Sequence, residues 1–212
     1  MIIYILCYNK KTLQDATKKY TYPWAYPILL ENQNCTFENT FWDQLKKMYP
    51  QWKDEDYVGV LSHSAYKKIN IDKLNQNFIN GVYTTKYVHF LSTDKDVLDP
   101  TSAGVKAHPY YSKIMKDLLP IINVNGKECF CNYFMCNPLW MKKFIAWYKD
   151  VLPLVMSHPH IWKNSTYNGK MTPQELMKLC GHPYYPHITF ILERLNGCFF
   201  QTYCDSVLLT KL

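Results

Sequence analysis

The first half of the chain alternates short apolar runs with stretches in which apolar residues recur at helical spacing. The apolar runs, rich in β-branched and aromatic residues, cover residues 2–7, 26–30, 57–61 and 87–91. The pattern of each run is typical of a buried strand. Helical spacing is found over 12–19, over 36–48 with Thr36 as the expected N-cap, and over 72–78 with Asp72 as the cap. Strands that alternate with helices predict an α/β fold with a mixed, mainly parallel central sheet flanked by helices.

The second half of the chain is predicted to be mostly helical. Helical patterns cover 110–119, 138–151, 173–179 and 188–195, and one strand-like run covers 129–135. No internal repeat or linker composition interrupts the sequence. We therefore expect one domain, residues 1–212, with the strand-rich half in 1–100 and the helical half in 101–212.

Polar residues that follow the apolar strands are the first candidates for chemistry, because ligands of such sheets bind outside the carboxyl ends of the strands. Asp94 and Asp96 follow the fourth strand, and side chains two residues apart in an extended segment point to the same side. Paired carboxylates can hold a hard divalent cation; the alternative is a polar turn. His63, between Ser62 and Ser64, can hydrogen-bond a phosphate or a sugar hydroxyl, or simply complete a loop.

Two further candidates come from the second half. His182 and His187 flank a Pro-Tyr-Tyr-Pro segment, and an imidazole from here could complete the coordination of the cation. Glu193 and Arg194 interrupt an apolar helix. A charge pair in a buried helix needs a partner, so it is either a structural ion pair or a carboxylate that serves as a base at a sugar.

Composition narrows the function further. The net charge is +7, but 23 of the 24 basic residues are Lys, and Arg194 is the one Arg. Because Arg supplies the bidentate contacts to base edges, a dedicated nucleic-acid reader is not expected. Glycine-rich phosphate loops are absent from the sequence. The eight cysteines lie mostly in apolar segments and are expected to be reduced, as in a cytoplasmic protein. Of the many aromatic residues, Tyr8 and Tyr66 are placed to stack on a ligand.

Three segments together resemble a known family. Residues 56–66 read D-Y-V-G-V-L-S-H-S-A-Y, residues 132–137 read N-Y-F-M-C-N, and residues 190–195 read F-I-L-E-R-L. They are similar to the D-Y-V-G-L-x-H-Y-R-R-Y, N-M-F-I-M-K and F-L-x-E-R-L segments of small capsular-polysaccharide-type glycosyltransferases, a family that includes enzymes of chlorella viruses. One departure stands out, because the family's Arg-Arg is Ser64-Ala65 here.

The resemblance implies a GT-A-like fold that transfers a sugar from a UDP-sugar to a glycan acceptor with Mn²⁺ or Mg²⁺, in the cytoplasm of the host if the protein is viral. Residues 1–100 would bind nucleotide and metal, and 101–212 would face the acceptor. The expected catalytic residues are Glu193 and His63, and the expected metal ligands are Asp94, Asp96 and His187. The residues expected to bind the nucleotide sugar are Cys7, Tyr8, Asn9, Lys10, Ser62, Ser64, Tyr66 and Asn132. Neither nucleic acid nor a membrane span is expected, and the chain can be part of a longer polypeptide. The alternative is a non-catalytic carbohydrate- or nucleotide-binding module.

Overall fold

The computed structural model describes residues 1–30, 37–167 and 169–212, and it contains two β-sheets packed among α-helices. The strands are β1 (Ile2–Cys7), β2 (Ala25–Leu29), β3 (Val58–Ser62), β4 (Tyr87–His89), β5 (Ser92–Asp96), β6 (Lys127–Cys129), β7 (Phe134–Cys136) and β8 (Val207–Leu209). The helices are α1 (Lys10–Lys19), α2 (Phe41–Leu45), α3 (Ile71–Ile79), α4 (Ala103–Ala107), α5 (Tyr111–Ile122), α6 (Pro138–Ser157), α7 (Pro173–Cys180) and α8 (His187–Tyr203).

The larger sheet has six strands in the order β2-β1-β3-β7-β4-β8. The pairs β1–β2, β1–β3 and β4–β8 are parallel, whereas β7 runs antiparallel to both β3 and β4. The expectation of a mixed, mainly parallel α/β sheet is therefore confirmed. The insertion of β7 means that strands from both halves of the chain share one sheet.

Alternation of side chains along the strands divides the interior into two hydrophobic clusters. On β1, Tyr4 and Leu6 point into one cluster, and Ile3, Ile5 and Cys7 point into the other. The first cluster lies under α2, α5, α6 and α8, and the second lies under α1 and α3. Because successive side chains of a strand alternate between its faces, a sheet with apolar residues at every position must be covered on both sides.

Two strand predictions are wrong in detail. The segment 129–135 forms two strands in different sheets, separated by a turn in which Cys131 has a φ of 53°. The segment 94–96, expected to be a loop, is the end of β5, which pairs antiparallel with β6. Both errors arise because backbone pairing, and not side-chain pattern, decides these short strands.

Two helix predictions also change. The expected helix over 36–48 contains only α2 as regular helix, with 3₁₀ turns at Phe37–Thr40 and Lys46–Gln51, and the expected cap Thr36 lies outside the described residues. In α3 the N-cap is Asn70, whose side chain accepts a hydrogen bond from the Lys73 N–H at 2.9 Å, and Asp72 lies in the first turn. Neither change affects the strand ends at which a ligand was expected.

Membrane-spanning helices were sought throughout the part of the chain that the structure describes. No helix there combines the length and the apolar character needed to cross a bilayer.

Candidate functional site

A cavity of about 520 Å³ opens at the carboxyl ends of β1 and β3; we call it the central cavity. Tyr8 lines it from the end of β1, and Ser62 and Ser64 line it from the end of β3. The turn between β6 and β7 contributes Phe130, Cys131 and Tyr133, and α4, α7 and α8 close it from the second half of the chain. The volume lies in the range of small-molecule sites.

Hydroxyl groups cluster on the strand side of the central cavity. The Ser62 Oγ lies 2.6 Å from the Tyr133 hydroxyl and 3.3 Å from the Ser64 Oγ. The Tyr20 hydroxyl donates to the Ser62 carbonyl oxygen at 3.3 Å and accepts a hydrogen bond from the Tyr66 N–H at 3.2 Å. These bonds fix the loop after β3, so that Ser64 stands at the cavity wall with a hydroxyl that can donate and accept.

The opposite wall is aromatic. The Phe190 ring stacks on the His108 imidazole with 4.1 Å between centroids, and Tyr167 and Tyr185 surround Phe190 at 5.5 and 6.2 Å. The His108 Nδ1 lies 3.2 Å from the Ser165 carbonyl oxygen, so Nδ1 is the donor. Burial lowers the pKa of His108 to about 4, which keeps its imidazole neutral at neutral pH.

A cluster of three charged residues lies at the floor of the central cavity, where Glu193 and Arg194 line the cavity and Glu128 is buried beside Arg194. Arg194, 4% exposed, donates from Nη1 to the Glu193 Oε2 at 2.8 Å, and its Nε lies 3.6 Å from the Glu128 Oε1. The buried Glu128 accepts hydrogen bonds from the Gly104 N–H at 2.7 Å and the Ala103 N–H at 3.0 Å. Burial alone would lower the pKa of Arg194, but the adjacent carboxylates outweigh it and raise that pKa.

Glu193 is the carboxylate of this cluster that faces the central cavity, with its side chain 17% exposed. Its Oε2 accepts hydrogen bonds from the Arg194 guanidinium and from the Cys131 N–H, the latter at 3.3 Å. Within the described part of the chain, its Oε1 has no hydrogen-bond partner. This oxygen is therefore able to accept a proton or a hydrogen bond from a ligand.

Four residues expected at a ligand site come together here: Tyr8, Ser62, Ser64 and Glu193. His63 lies beside them, with its ring edge-on to Tyr8 at 5.3 Å between centroids. It does not line the central cavity but a smaller groove that adjoins it. Burial and the nearby Lys67 lower the pKa of His63.

Four other residues expected to bind the nucleotide sugar do not line the central cavity: Cys7, Asn9, Lys10 and Tyr66. Cys7 is fully buried, and burial raises the pKa of its thiol to about 11. Asn9 caps α1 by accepting from the Thr12 N–H at 2.8 Å, and the exposed Lys10 begins that helix. Tyr66 is 42% exposed in the adjoining groove. Of the residues expected to bind the ligand directly after β1, only Tyr8 therefore lines the central cavity.

The side chains of Asn132 and His187 are buried and hydrogen-bonded within the protein. The Asn132 Oδ1 accepts from the Asn196 amide at 2.7 Å, and Asn132 is 1% exposed. The fully buried His187 has Nδ1 2.7 Å from the Lys163 carbonyl oxygen, and its Nε2 accepts from the Tyr110 N–H at 3.3 Å. With both nitrogens used, His187 has no lone pair for a metal ion, which corrects its assignment as a ligand.

Asp94 and Asp96 are exposed on β5 and do not line the central cavity. The Asp96 Oδ1 lies 3.5 Å from the Lys127 Nζ on the neighbouring strand. Among the described residues, no three His, Cys, Asp or Glu side chains are grouped so that they could hold a metal ion. The expected metal site is thus not assembled at the cavity.

The sequence places residues 132–135 and 182–193 on the acceptor side, and Tyr133 and Tyr185 of these segments do line the central cavity. His108 and Glu128 are not singled out by the sequence. Glu128 had a usable signal, because a single acid beside the apolar run that begins at Cys129 must find partners if it is buried. His108 had none, because its position depends on how the second half of the chain folds over the strand ends.

Comparisons of the chain with protein-family models, with curated proteins and with solved structures found no match in any of the three. The central cavity and the three similar segments are therefore the features that bear on the function of the chain.

Proposed function

We propose that this chain is a glycosyltransferase that moves a sugar from a UDP-sugar to a hydroxyl of a glycan. One observation carries the proposal: Glu193 presents a carboxylate to a cavity at the carboxyl ends of β1 and β3. Strand ends are where α/β sheets bind nucleotides. The similarity of residues 56–66, 132–137 and 190–195 to a GT-A glycosyltransferase family supports the same assignment, and a sheet with one antiparallel strand is compatible with it.

The walls of the central cavity suit a nucleotide sugar. Tyr8 and Tyr185 offer aromatic faces to a base or a sugar ring, and Ser64 offers a hydroxyl. Lys68 lies at the same cavity, with its Nζ 3.0 Å from the Cys131 Sγ, and provides positive charge for a diphosphate. The family's Arg-Arg is Ser64-Ala65 here, so no arginine of that segment can share this role.

Glu193 would act as the base. As the acceptor oxygen bonds to the anomeric carbon, the bond from that carbon to the diphosphate breaks, and its electron pair leaves with UDP. The acceptor proton passes to the Glu193 Oε1, and Arg194 holds the other carboxylate oxygen in place. The charge that develops on the leaving diphosphate would be offset by Lys68.

The divalent ion that the resemblance implies does not fit the residues at the cavity. Asp94 and Asp96 stand on an exposed strand outside it, Asp96 is paired with Lys127, and His187 has both nitrogens engaged. Mn²⁺ and Mg²⁺ therefore enter no step of the proposed reaction.

Calorimetric titration with UDP and with uridine tests whether the chain binds the nucleotide part of the proposed donor. We expect saturable UDP binding that Lys68→Ala weakens at least about tenfold, with a smaller effect on uridine. Lys73→Ala, an exposed Lys of α3, is the matched control and should leave the UDP affinity within about twofold. No saturable UDP binding, or an equal loss in both Lys variants, contradicts the proposal.

Repeating the titration with Mn²⁺ tests the metal separately. With Asp94→Asn and Asp96→Asn combined, the UDP affinity should stay within about twofold, with or without Mn²⁺. An Mn²⁺-dependent affinity that this double variant abolishes would restore the metal site predicted from the sequence.

A non-catalytic binding module is the second candidate, and one observation favours it. The Glu193 Oε2 is already held by Arg194 and by the Cys131 N–H, as in a structural ion pair. This module would bind UDP equally well but would release no sugar, so turnover of UDP-sugar separates the two functions.

A further inference from the structure

A second concave surface adjoins the central cavity and shares Lys68 and Ser64 with it. It consists of two depressions of about 620 and 430 Å³ that share Lys19, Tyr66 and Lys67. The larger one meets the central cavity at Lys68, and the smaller one meets it at Ser64. We call this surface the lysine groove.

The centre of the lysine groove holds two cations on one exposed ring. The Lys19 Nζ lies 5.0 Å from the centroid of the Tyr66 ring, and the Lys67 Nζ lies 5.8 Å from it. Within the described residues, neither Lys19 nor Lys67 forms an ion pair. Two cations beside one ring, neither in an ion pair, create a positive potential that favours an anionic ligand.

The acids along the groove do not cancel this charge. Lys18 and Lys68 line it in addition to Lys19 and Lys67, whereas its two acidic side chains are Asp15 and Asp72. Asp72 accepts a hydrogen bond from the Tyr22 hydroxyl. The four Lys therefore outnumber the acids by two to one, and the groove attracts anions.

Aromatic faces accompany the charge. Tyr66 is 42% exposed, and Tyr22, at the other end of the groove, stacks on Trp24 with 4.9 Å between centroids and 5° between planes. Rings of this kind stack on the apolar faces of sugars, and their hydroxyls bond to sugar hydroxyls. A ligand that uses the whole groove is thus elongated, ring-bearing and negatively charged.

We propose that the lysine groove binds an oligosaccharide whose sugars carry carboxylate or sulfate groups, and that the groove directs one end of this oligosaccharide into the central cavity. In the proposed glycosyl transfer this oligosaccharide would be the acceptor, and only this role rests on the proposed function. Nucleic acid fits less well, because base edges are read by bidentate Arg contacts and the one Arg of the chain is buried at the floor of the central cavity.

The test is titration calorimetry of the full chain, without any donor, against four ligands: tetragalacturonate, sulfated maltotetraose, maltotetraose and oligouridylate. We expect at least one of the two anionic oligosaccharides to bind at least about tenfold more tightly than neutral maltotetraose. Comparison of the two shows whether carboxylate or sulfate is preferred.

Paired Lys variants localise the binding. Lys19→Ala combined with Lys67→Ala should weaken the anionic oligosaccharide at least about tenfold. The matched control is Lys142→Ala combined with Lys143→Ala, which removes the same charge from Lys side chains that lie over Tyr49 and Trp140 at 5.6 and 4.3 Å. All four Lys are exposed, so both double variants should fold, and circular dichroism checks this.

The proposal is overturned if no anionic oligosaccharide binds saturably, if maltotetraose binds as tightly, or if both double variants lose affinity equally. Tighter binding of oligouridylate also overturns it, in favour of a nucleic-acid surface. Failure of the transfer reaction is a separate result, because it would be seen as absent UDP-sugar turnover with oligosaccharide binding intact.

Discussion

At the scale of single residues, Arg194 joins three parts of the second half of the chain. Its guanidinium connects α8 to Glu128 on β6, and Glu128 in turn accepts hydrogen bonds from the first N–H groups of α4. It also lies 5.0 Å from the centre of the Phe130 ring. Because two buried or half-buried carboxylates flank one cation, removal of the cation leaves negative charges without compensation.

Arg194→Met should therefore lower the free energy of unfolding by about 3–5 kcal/mol. Urea denaturation followed by circular dichroism measures this change. Lys116→Met, at an exposed position of α5, serves as the control and should change stability by less than about 0.5 kcal/mol. A loss below about 1 kcal/mol in Arg194→Met would contradict the role assigned to the cluster.

At the scale of elements, the most constrained point of the larger sheet is the centre of β3. Gly59 lies between β1 and β7, and a Cβ built at Gly59 would clash with the Phe134 carbonyl oxygen and would lie 2.8 Å from the Ile3 Cδ1. These neighbours are backbone and a buried side chain, so they have little room to move. The close approach of β7 to β3 depends on this glycine.

Gly59→Ala is expected to cost about 1–3 kcal/mol of folding free energy through overpacking. Thermal unfolding monitored by circular dichroism gives the comparison with the unchanged protein. If the melting temperature is the same in both, β7 and β3 are not packed as closely as described.

Side-chain pattern predicts some elements well and others poorly, for a physical reason. β1 is apolar at every position and α6 carries apolar residues at helical spacing, so the existence of both elements follows from the need to bury that surface. β5 and β6 are held instead by backbone pairing, and the side chains of residues 94–96 in β5 remain in solvent. Cys131, with its φ of 53°, turns the chain from one sheet to the other, and no feature of the sequence marks this turn.

At the scale of the whole molecule, the strand-end rule selected residues that the structure places around one cavity. Tyr8, Ser62 and Ser64 line the central cavity as expected, and Glu193 reaches it from the helical half. The rule failed for Asp94 and Asp96, because it assumes that the chain leaves the sheet after the fourth strand. Here the chain enters a second, two-stranded sheet instead.

Buried imidazoles make the stability of the molecule depend on pH. His89 is 1% exposed, and burial lowers its pKa to about 3. Because this pKa lies below that of the unfolded chain, the contribution to stability is complete above about pH 6.5 and is lost progressively as the pH falls toward 3. Between pH 6.5 and 5, protonation of this one residue in the unfolded chain lowers the free energy of unfolding by about 2 kcal/mol.

Urea unfolding at a series of pH values between 7 and 5 measures this dependence. In His89→Asn, the plot of the free energy of unfolding against pH should have a shallower slope. The Asn Oδ1 can replace the His89 Nδ1, which accepts a hydrogen bond from the Leu91 N–H at 3.2 Å. An unchanged slope in this variant would show that His89 is not the source of the dependence.

Turnover of UDP-sugars is the measurement that tests the central claim most directly. Release of UDP from a panel that includes UDP-glucose, UDP-galactose and UDP-N-acetylglucosamine is followed with the unchanged chain, with Glu193→Gln and with Glu55→Gln, an exposed control. We predict turnover of at least one donor, a rate at least about 100-fold lower in Glu193→Gln with UDP affinity retained, and an unchanged rate in Glu55→Gln. UDP binding without turnover of any donor, or an equal rate in all three proteins, would contradict the proposal that Glu193 in the central cavity catalyses glycosyl transfer.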